Sequence, residues 1–250
     1  MPTESLLIGI DDTDNLSSRG TGYRARRLAG LLQDGGYATV DGVSRHQLLL
    51  SPRIPYTSHN SAACLRLSAA RMRLSVLTGF CREYLLREAA DGSDAGLCVA
   101  FAGAAGEALQ SFGVRAQREV LSQAHAKALA SGCGVYLEGL TGTRDGIIGA
   151  LAAVGLRRRG QGGRFIWVSG LRERAGQCLR ADQLAACTGV HAIRSRDGAI
   201  PASHEWVELG PWPRPVLIDG EAILLVEKSN ENEHRHSQWR VIDKAAIKRY

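Results

Sequence analysis

The chain has 250 residues, 44% of them hydrophobic and 22% charged. That composition supplies one large core or two modest ones and reads as ordinary globular protein rather than disorder. No apolar run approaches the roughly 18 residues of a membrane-crossing helix. The first residues lack a basic stretch leading into an apolar one, so the sequence reads as cytoplasmic.

The net charge is +6, mostly from arginine. It is densest from Arg157 to Arg180, with Arg158, Arg159, Arg164, Arg172 and Arg174 between. Such a run reads equally as a patch for phosphate or RNA and as a solvated face. The six cysteines contain no C-x-x-C pair, which excludes a zinc ribbon or a thioredoxin-like site and points to scattered thiols.

In chain order, residues 5–10 form an apolar run that predicts a buried strand. Ala25, Leu28, Leu31 and Leu32 recur at helical spacing after Gly20 and Gly22, and Gly35-Gly36 ends that helix. Residues 38–50 read as a strand or hairpin, 51–60 as a loop carrying Pro52 and Pro55, and 61–68 as a strand. A helix is expected over 72–90, with ladders Met72, Val76, Phe80, Tyr84 and Leu77, Cys81, Leu85. A turn over 91–96, a strand over 97–102, a helix over 117–130 and a strand over 134–137 follow. Residues 141–146 form a glycine-containing loop before an apolar helix over 147–154. A strand over 164–169 and a short helix over 181–187 come next. Beyond Val190, prolines divide the chain into short β pieces such as 216–218 and 222–226, with a polar loop at 231–236. The alternation predicts an α+β fold with α/β-like character.

The informative stretch is Asp11-Asp12-Thr13-Asp14 at the end of the first strand. Three carboxylates in four residues repel one another unless a cation offsets them. Mg²⁺ takes one or two carboxylates together with phosphate oxygens and waters, so Asp11, Asp12 and Asp14 read as metal ligands, with the Thr13 hydroxyl beside them. Arg19, Gly20, Thr21 and Gly22 then open a helix whose N–H groups could face a phosphate. Adjacent cation and phosphate sites are what phosphoryl transfer from ATP requires. The alternative is a solvated acidic turn. A dinucleotide fingerprint, Gly20-x-Gly22-x-x-Ala25 with Asp41 downstream, competes for the same segment, but the acidic loop separates it from its strand.

With Gly9-Ile10-Asp11-Asp12-Thr13-Asp14, the sequence resembles the archaeal isoleucine-tRNA agmatidine synthetases. Three further stretches carry the resemblance: Pro52-Arg53-Ile54-Pro55-Tyr56 with Asn60, Gly92-Ser93-Asp94-Ala95-Gly96, and the segment from Gly146-Ile147-Ile148-Gly149 to Val154-Gly155. The likeness runs from about Leu6 to Val168. It implies a kinase-like domain over 1–112, a ferredoxin-like domain over 113–189 and a small β-rich extension over 190–250. It also implies cleavage of ATP at Mg²⁺, phosphorylation of a cytosine carbonyl oxygen in a tRNA anticodon, and displacement of that phosphate by agmatine. Asp11, Asp12 and Asp14 would serve metal and phosphates, and Thr21 lies near the family's phosphoacceptor threonine with a spacing that differs by two. Tyr56 and Asn60 would line the nucleotide pocket. The sequence departs from the family at Thr57, Ser58 and His59, where lysine and arginine are expected. It offers no segment after His191 that suits both the family's OB-fold and its zinc ribbon.

In the loop Thr141–Gly146, Arg144, Asp145 and Gly146 read either as substrate contacts, with Asp145 on an amine or guanidinium, or as an ordinary capped helix start. His59, borne on a loop, is a candidate ligand contact. His234 and His236 read as solvated, and Trp206, Trp212 and Trp239 as packing for the C-terminal part. Three functions follow: an ATP- and Mg²⁺-dependent phosphoryl-transfer or ligase-type enzyme with an unknown acceptor, small molecule or tRNA; a nucleotide- or metal-binding regulatory module; and a tRNA-modifying enzyme that needs a partner to recognise tRNA.

Overall fold

The computed structural model describes residues 3–54, 59–229, 237–247 and 250. They form two compact units, Met1–Arg159 and Gly160–Tyr250. The expected boundaries at 112/113 and 189/190 differ from this division, because the segment after residue 112 completes the first sheet and covers it.

The first unit contains β1 (Thr3–Asp11), α1 (Thr21–Asp34), β2 (Thr39–Gln47), β3 (Ser61–Ala70), α2 (Leu74–Glu88), β4 (Gly96–Phe101), α3 (Glu107–Ala116), α4 (Gln123–Cys133), β5 (Tyr136–Gly139) and α5 (Gly146–Arg159). The strands run in the order β5-β4-β1-β3-β2, and every neighbouring pair is antiparallel. A dinucleotide-binding domain needs parallel strands, so Gly20 and Gly22 do not form that fingerprint.

The central strand β1 is buried on both faces, which explains its unbroken apolar run. Leu7, Gly9 and Asp11 look toward α5, and Leu6, Ile8 and Ile10 toward the opposite face, where α1 packs on β1, β2 and β3. The helix α5 is apolar all round. The sheet lies on one side of it and α3 and α4 on the other, and Ile147, Ala150, Leu151, Ala152, Ala153 and Val154 are all buried. It approaches the sheet backbone to backbone: a Cβ at Gly9 would collide with the carbonyl of Ala150.

Helix α2 buries Leu77, Cys81, Tyr84 and Leu85. Of the other expected ladder, Met72 and Val76 are 69% and 54% exposed, because Met72 sits in a 3-10 turn ahead of the helix. The helix expected over 117–130 lies at Gln123–Cys133, capped by the Ser122 hydroxyl and closed by Gly134 at φ 63°. The helix α3 is additional to those expected; its buried face is Leu109, Phe112, Gly113 and Ala116.

The second unit contains β6 (Arg164–Trp167), β7 (Cys178–Arg180), α6 (Ala181–Cys187), β8 (Ala192–Arg194), β9 (Trp206–Glu208), β10 (Val216–Ile218), β11 (Glu221–Lys228), β12 (Trp239–Val241) and α7 (Lys244–Ile247). The strand β11 pairs with β10, β8 and β12. The core includes Phe165, Leu184, Val207, Leu217, Leu224 and Trp239. Trp239 packs as expected and donates to the Glu205 carboxylate at 2.8 Å, whereas Trp206 is 40% exposed. His234 and His236 lie outside the described residues. Among the described residues no helix is long and apolar enough to cross a membrane, and all six cysteines are free.

Candidate functional site

The antiparallel register brings the ends of β1, β2 and β5 and the starts of β3 and β4 to one end of the first sheet. Gly96 pairs with Asp11 on one side and with Gly139 on the other. Three loops meet there. Leu140 N–H donates to the Ala95 carbonyl at 2.7 Å, and Gly146 N–H to the Asp94 carbonyl at 2.9 Å. The Thr141 hydroxyl donates to the Ser93 carbonyl at 2.6 Å and accepts from Ala95 N–H at 2.8 Å. Ala90 N–H reaches the Thr13 carbonyl at 2.9 Å, tying in the acidic loop.

That loop begins where Asp12 takes a left-handed φ of 49°, a turn that aspartate and asparagine accept more readily than most residues. Asp14 Oδ1 accepts from Thr21 N–H at 3.0 Å and from the Thr21 hydroxyl at 2.7 Å. Thr21 Oγ1 in turn accepts from the N–H and the hydroxyl of Thr13, at 3.1 and 3.0 Å. Gly20, the cap position of α1, has no side chain, so Asp14 caps the helix from outside. Thr13 is fully buried and its hydroxyl is directed at Thr21 rather than at a metal position.

The electrostatics follow from crowding. Burial pushes the Asp11 carboxyl up to about 8; the charges of Asp12 and Asp14 add to this, and an N–H from Asp12 and the Arg45 guanidinium oppose it. Asp12 is raised to about 6 by burial and by Asp94, Asp14 and Asp145. Asp11 and Asp12 between them thus feel the charges of Asp14, Asp94 and Asp145 around the start of α5. Asp11 lies against the bare Cα of Gly149 in the first turn of that helix, where a Cβ would collide with Asp11 Oδ2. A helix N-terminus favours a negative charge in that place.

Among the described residues, no three His, Cys, Asp or Glu side chains are grouped to hold one ion. This end of the sheet is therefore no closed metal cage. Mg²⁺ takes few protein ligands and completes its shell with waters and phosphate oxygens, so an all-oxygen, electrostatically strained set fits it when nucleotide is present.

The other expected residues are distributed as follows. The exposed Arg19 guanidinium stacks on the Tyr23 ring at 4.4 Å. Gly22 lies in the first turn of α1. The Asn60 amide donates to the Leu49 carbonyl at 2.7 Å and so braces its own loop. His59 is exposed on that loop. Tyr56 lies outside the described residues. Arg144 is exposed at φ 70° and its side chain covers Gly139. Asp145 is exposed and accepts from the Gln123 amide at 2.7 Å. Gly146 is buried, and a Cβ there would come within 2.5 Å of the Asp94 carbonyl. The structure thus gathers Asp11, Asp12, Asp14, Thr21, Asp145 and Gly146, and adds Asp94 and Arg45. Asp94 has a signal in the sequence, its place in Gly92–Gly96; Arg45 has none, because its proximity arises from strand pairing alone.

The arginine run needs correction at its first member. Arg157 is only 3% exposed and lies beside Cys64, and burial lowers its guanidinium to about 10. It falls on the buried side of α5, so it cannot belong to a surface patch. Arg158 and Arg159 are exposed. Arg180 is engaged with Asp182 at 2.6 Å.

No protein-family model matches the sequence, and no curated protein matches it. Solved structures do. The complex of the tRNA agmatidine synthetase TiaS with its tRNA and ATP is similar at a TM-score of 0.53 and 25% identity, over 61% of this chain and 36% of that one. The complex of TiaS with its tRNA, the ATP analogue AMPCPP and agmatine is similar at 0.52 and 24%, over the same shares of the two chains. A tRNA fluorescent labeling enzyme is similar at 0.54 and 22%, over 72% of this chain and 42% of that one. The chain thus spans little more than a third of the agmatidine synthetases it matches. Over 61% of its own length, however, it has the fold of the tRNA agmatidine synthetase TiaS.

Proposed function

We propose that the chain is an ATP- and Mg²⁺-dependent phosphoryl-transfer enzyme of ligase type. The observation that carries this reading is the convergence of Asp11, Asp12, Asp14, Asp94 and Asp145, two of them with strongly raised proton affinity, at the joint between β1 and the start of α5. Such a cluster destabilises the empty protein and becomes favourable once cations share it.

Asp11 and Asp12 would hold Mg²⁺, which when bound would supply neutralisation of the phosphate charge. Asp14 orients Thr21 and fixes the entry of α1. Gly20 and Gly22 flank the Thr21 N–H that Asp14 holds, and Arg19, His59, Asn60 and Tyr56 would border the nucleotide. Asp145, with Arg144 and Gly146 on the same loop, would serve the acceptor, since an exposed carboxylate suits an amine or a guanidinium. Catalysis would come from positioning and charge neutralisation rather than from a strong base.

The acceptor we infer is tRNA, with an amine as second substrate, because the structures of like fold hold tRNA, ATP and agmatine. Arg158 and Arg159 offer phosphate contacts, and a partner would supply further recognition of the tRNA. The protein works as a cytoplasmic enzyme on this reading.

The test is calorimetry with ATP and Mg²⁺, followed by ATP turnover with and without tRNA and agmatine. Wild type should bind the Mg²⁺–ATP complex and turn it over, and Asp12→Asn should do neither. Binding without turnover under every acceptor tried would favour a regulatory module. Equal behaviour of mutant and wild type would remove the assignment.

A further inference from the structure

We infer that Arg45 binds the polyphosphate of the nucleotide and sets the preference for triphosphate over monophosphate; this rests on the acidic end of the sheet being a Mg²⁺–nucleotide site. Three observations about position carry it. First, Arg45 pairs with Ala63 on β3, and Ala63 pairs with Ile10 on β1, the residue before Asp11. Arg45 therefore projects from the same end of the sheet as the acidic loop, one strand removed.

Second, strand alternation separates it from its neighbours. Ser44 and His46 are buried and bond to each other at 2.9 Å, whereas Arg45 shares the face of Ile10, the one that α1 covers and on which Thr21 and Asp14 meet. Its Nε donates to Ser61 Oγ at 2.7 Å, which fixes the guanidinium plane and turns its two-nitrogen edge away from Ser61. That edge is the part of arginine suited to a bidentate grip on phosphate.

Third, the acidic charges that act on this guanidinium are those of Asp14 and Asp11. Asp11 lies on the α5 face and Arg45 on the α1 face, so this partly buried cation borders the acidic cluster from the side of α1. When bound, Mg²⁺ at the carboxylates would supply a second positive charge for the same phosphates. A triphosphate has oxygens enough to meet both cations at once, and a monophosphate has fewer to share between them.

The test uses the full chain and the variants Arg45→Gln and Arg45→Lys, with three probes: Mn²⁺ alone, ATP with Mg²⁺, and AMP. Arg45→Gln should weaken ATP–Mg²⁺ by about tenfold or more and AMP by about twofold at most, and Arg45→Lys should recover part of the loss. The same Arg45→Gln change should tighten bare Mn²⁺, because it removes a positive charge from beside Asp11 and Asp14. Opposite shifts for ion and nucleotide are a signature that general loosening of the fold cannot give. Parallel weakening of all three probes would make Arg45 a structural residue and overturn the inference. Unchanged ATP–Mg²⁺ affinity in Arg45→Gln, with wild type binding normally, would reduce it to a counter-ion and equally overturn it. A wild type that takes up neither Mn²⁺ nor ATP would defeat the nucleotide reading itself, and this inference with it.

Discussion

Replacing Asp12 by asparagine should make the metal-free protein more stable while it destroys nucleotide binding. The native Asp12 carboxyl is raised from 3.8 to about 6, so its ionisation in the folded state is opposed by burial and by Asp94, Asp14 and Asp145. The stability associated with the protonated form is complete below about pH 4 and is lost as pH rises through about 6. Above that, the opposed charge corresponds to about 3 kcal/mol, or roughly 1–3 kcal/mol after allowance for its partial contact with water. Asparagine removes the charge, keeps the size and accepts the left-handed φ of 49°. In thermal melts without divalent ions, Asp12→Asn should exceed wild type by about 2–10 °C at pH 8 and by roughly half as much at pH 5. With Mg²⁺ and ATP the order should reverse, since only wild type gains a ligand. A variant no more stable than wild type at pH 8, or one with the same advantage at pH 5, would refute the crowding argument.

Gly149→Ala places a methyl group on Asp11 Oδ2 and should cost about 1–3 kcal/mol in melting experiments and abolish ATP turnover, whereas Gly79→Ala, inside α2 where a Cβ meets nothing within 4 Å, should add about 0.5–1 kcal/mol of stability and leave turnover unchanged. Thr21→Val removes the hydroxyl that joins Asp14 to Thr13 and should lower stability by about 1–3 kcal/mol, with Thr21→Ser recovering most of it in denaturant titrations. Arg158→Ala with Arg159→Ala should flatten the salt dependence of tRNA binding in filter assays and leave the melting temperature in place, whereas Arg157→Ala should lower the melting temperature through lost buried packing.

Much of the first unit is legible in the sequence because its signals are local. The run before Asp11 is apolar on consecutive residues, as a strand buried on both faces must be, and the Gly146–Gly155 segment is small and apolar on every side, as a helix pressed between a sheet and two other helices must be. The acidic loop is legible because its charges are adjacent in sequence. What is not legible depends on pairing between distant segments: Asp94 joins the cluster because β4 pairs with β1, and Arg45 because β2 reaches β1 through β3. The helix α3 is masked although Leu109, Phe112, Gly113 and Ala116 keep helical spacing, since glycines at 103, 106 and 113 read as loop. Arg157 misleads because its charge outweighs its period: it follows Ala150 by seven residues and Val154 by three, which returns it to the inward side of its helix.

The contact between β1 and α5 has a bearing on redesign. Glycines at positions 9 and 146 let main chain rest on main chain, and Gly149 lets the Asp11 carboxylate rest on bare helix, so this floor offers no side chain of α5 that could be enlarged, trimmed or repolarised to suit another substrate. Any retuning of acceptor choice has to be made at the exposed positions of the two rims, Leu16, Ser17 and Arg19 on one and Thr143 and Asp145 on the other, where side chains can vary without lifting the helix from its strand. A mutational library confined to those positions should yield folded variants far more often than one of equal size aimed at the floor.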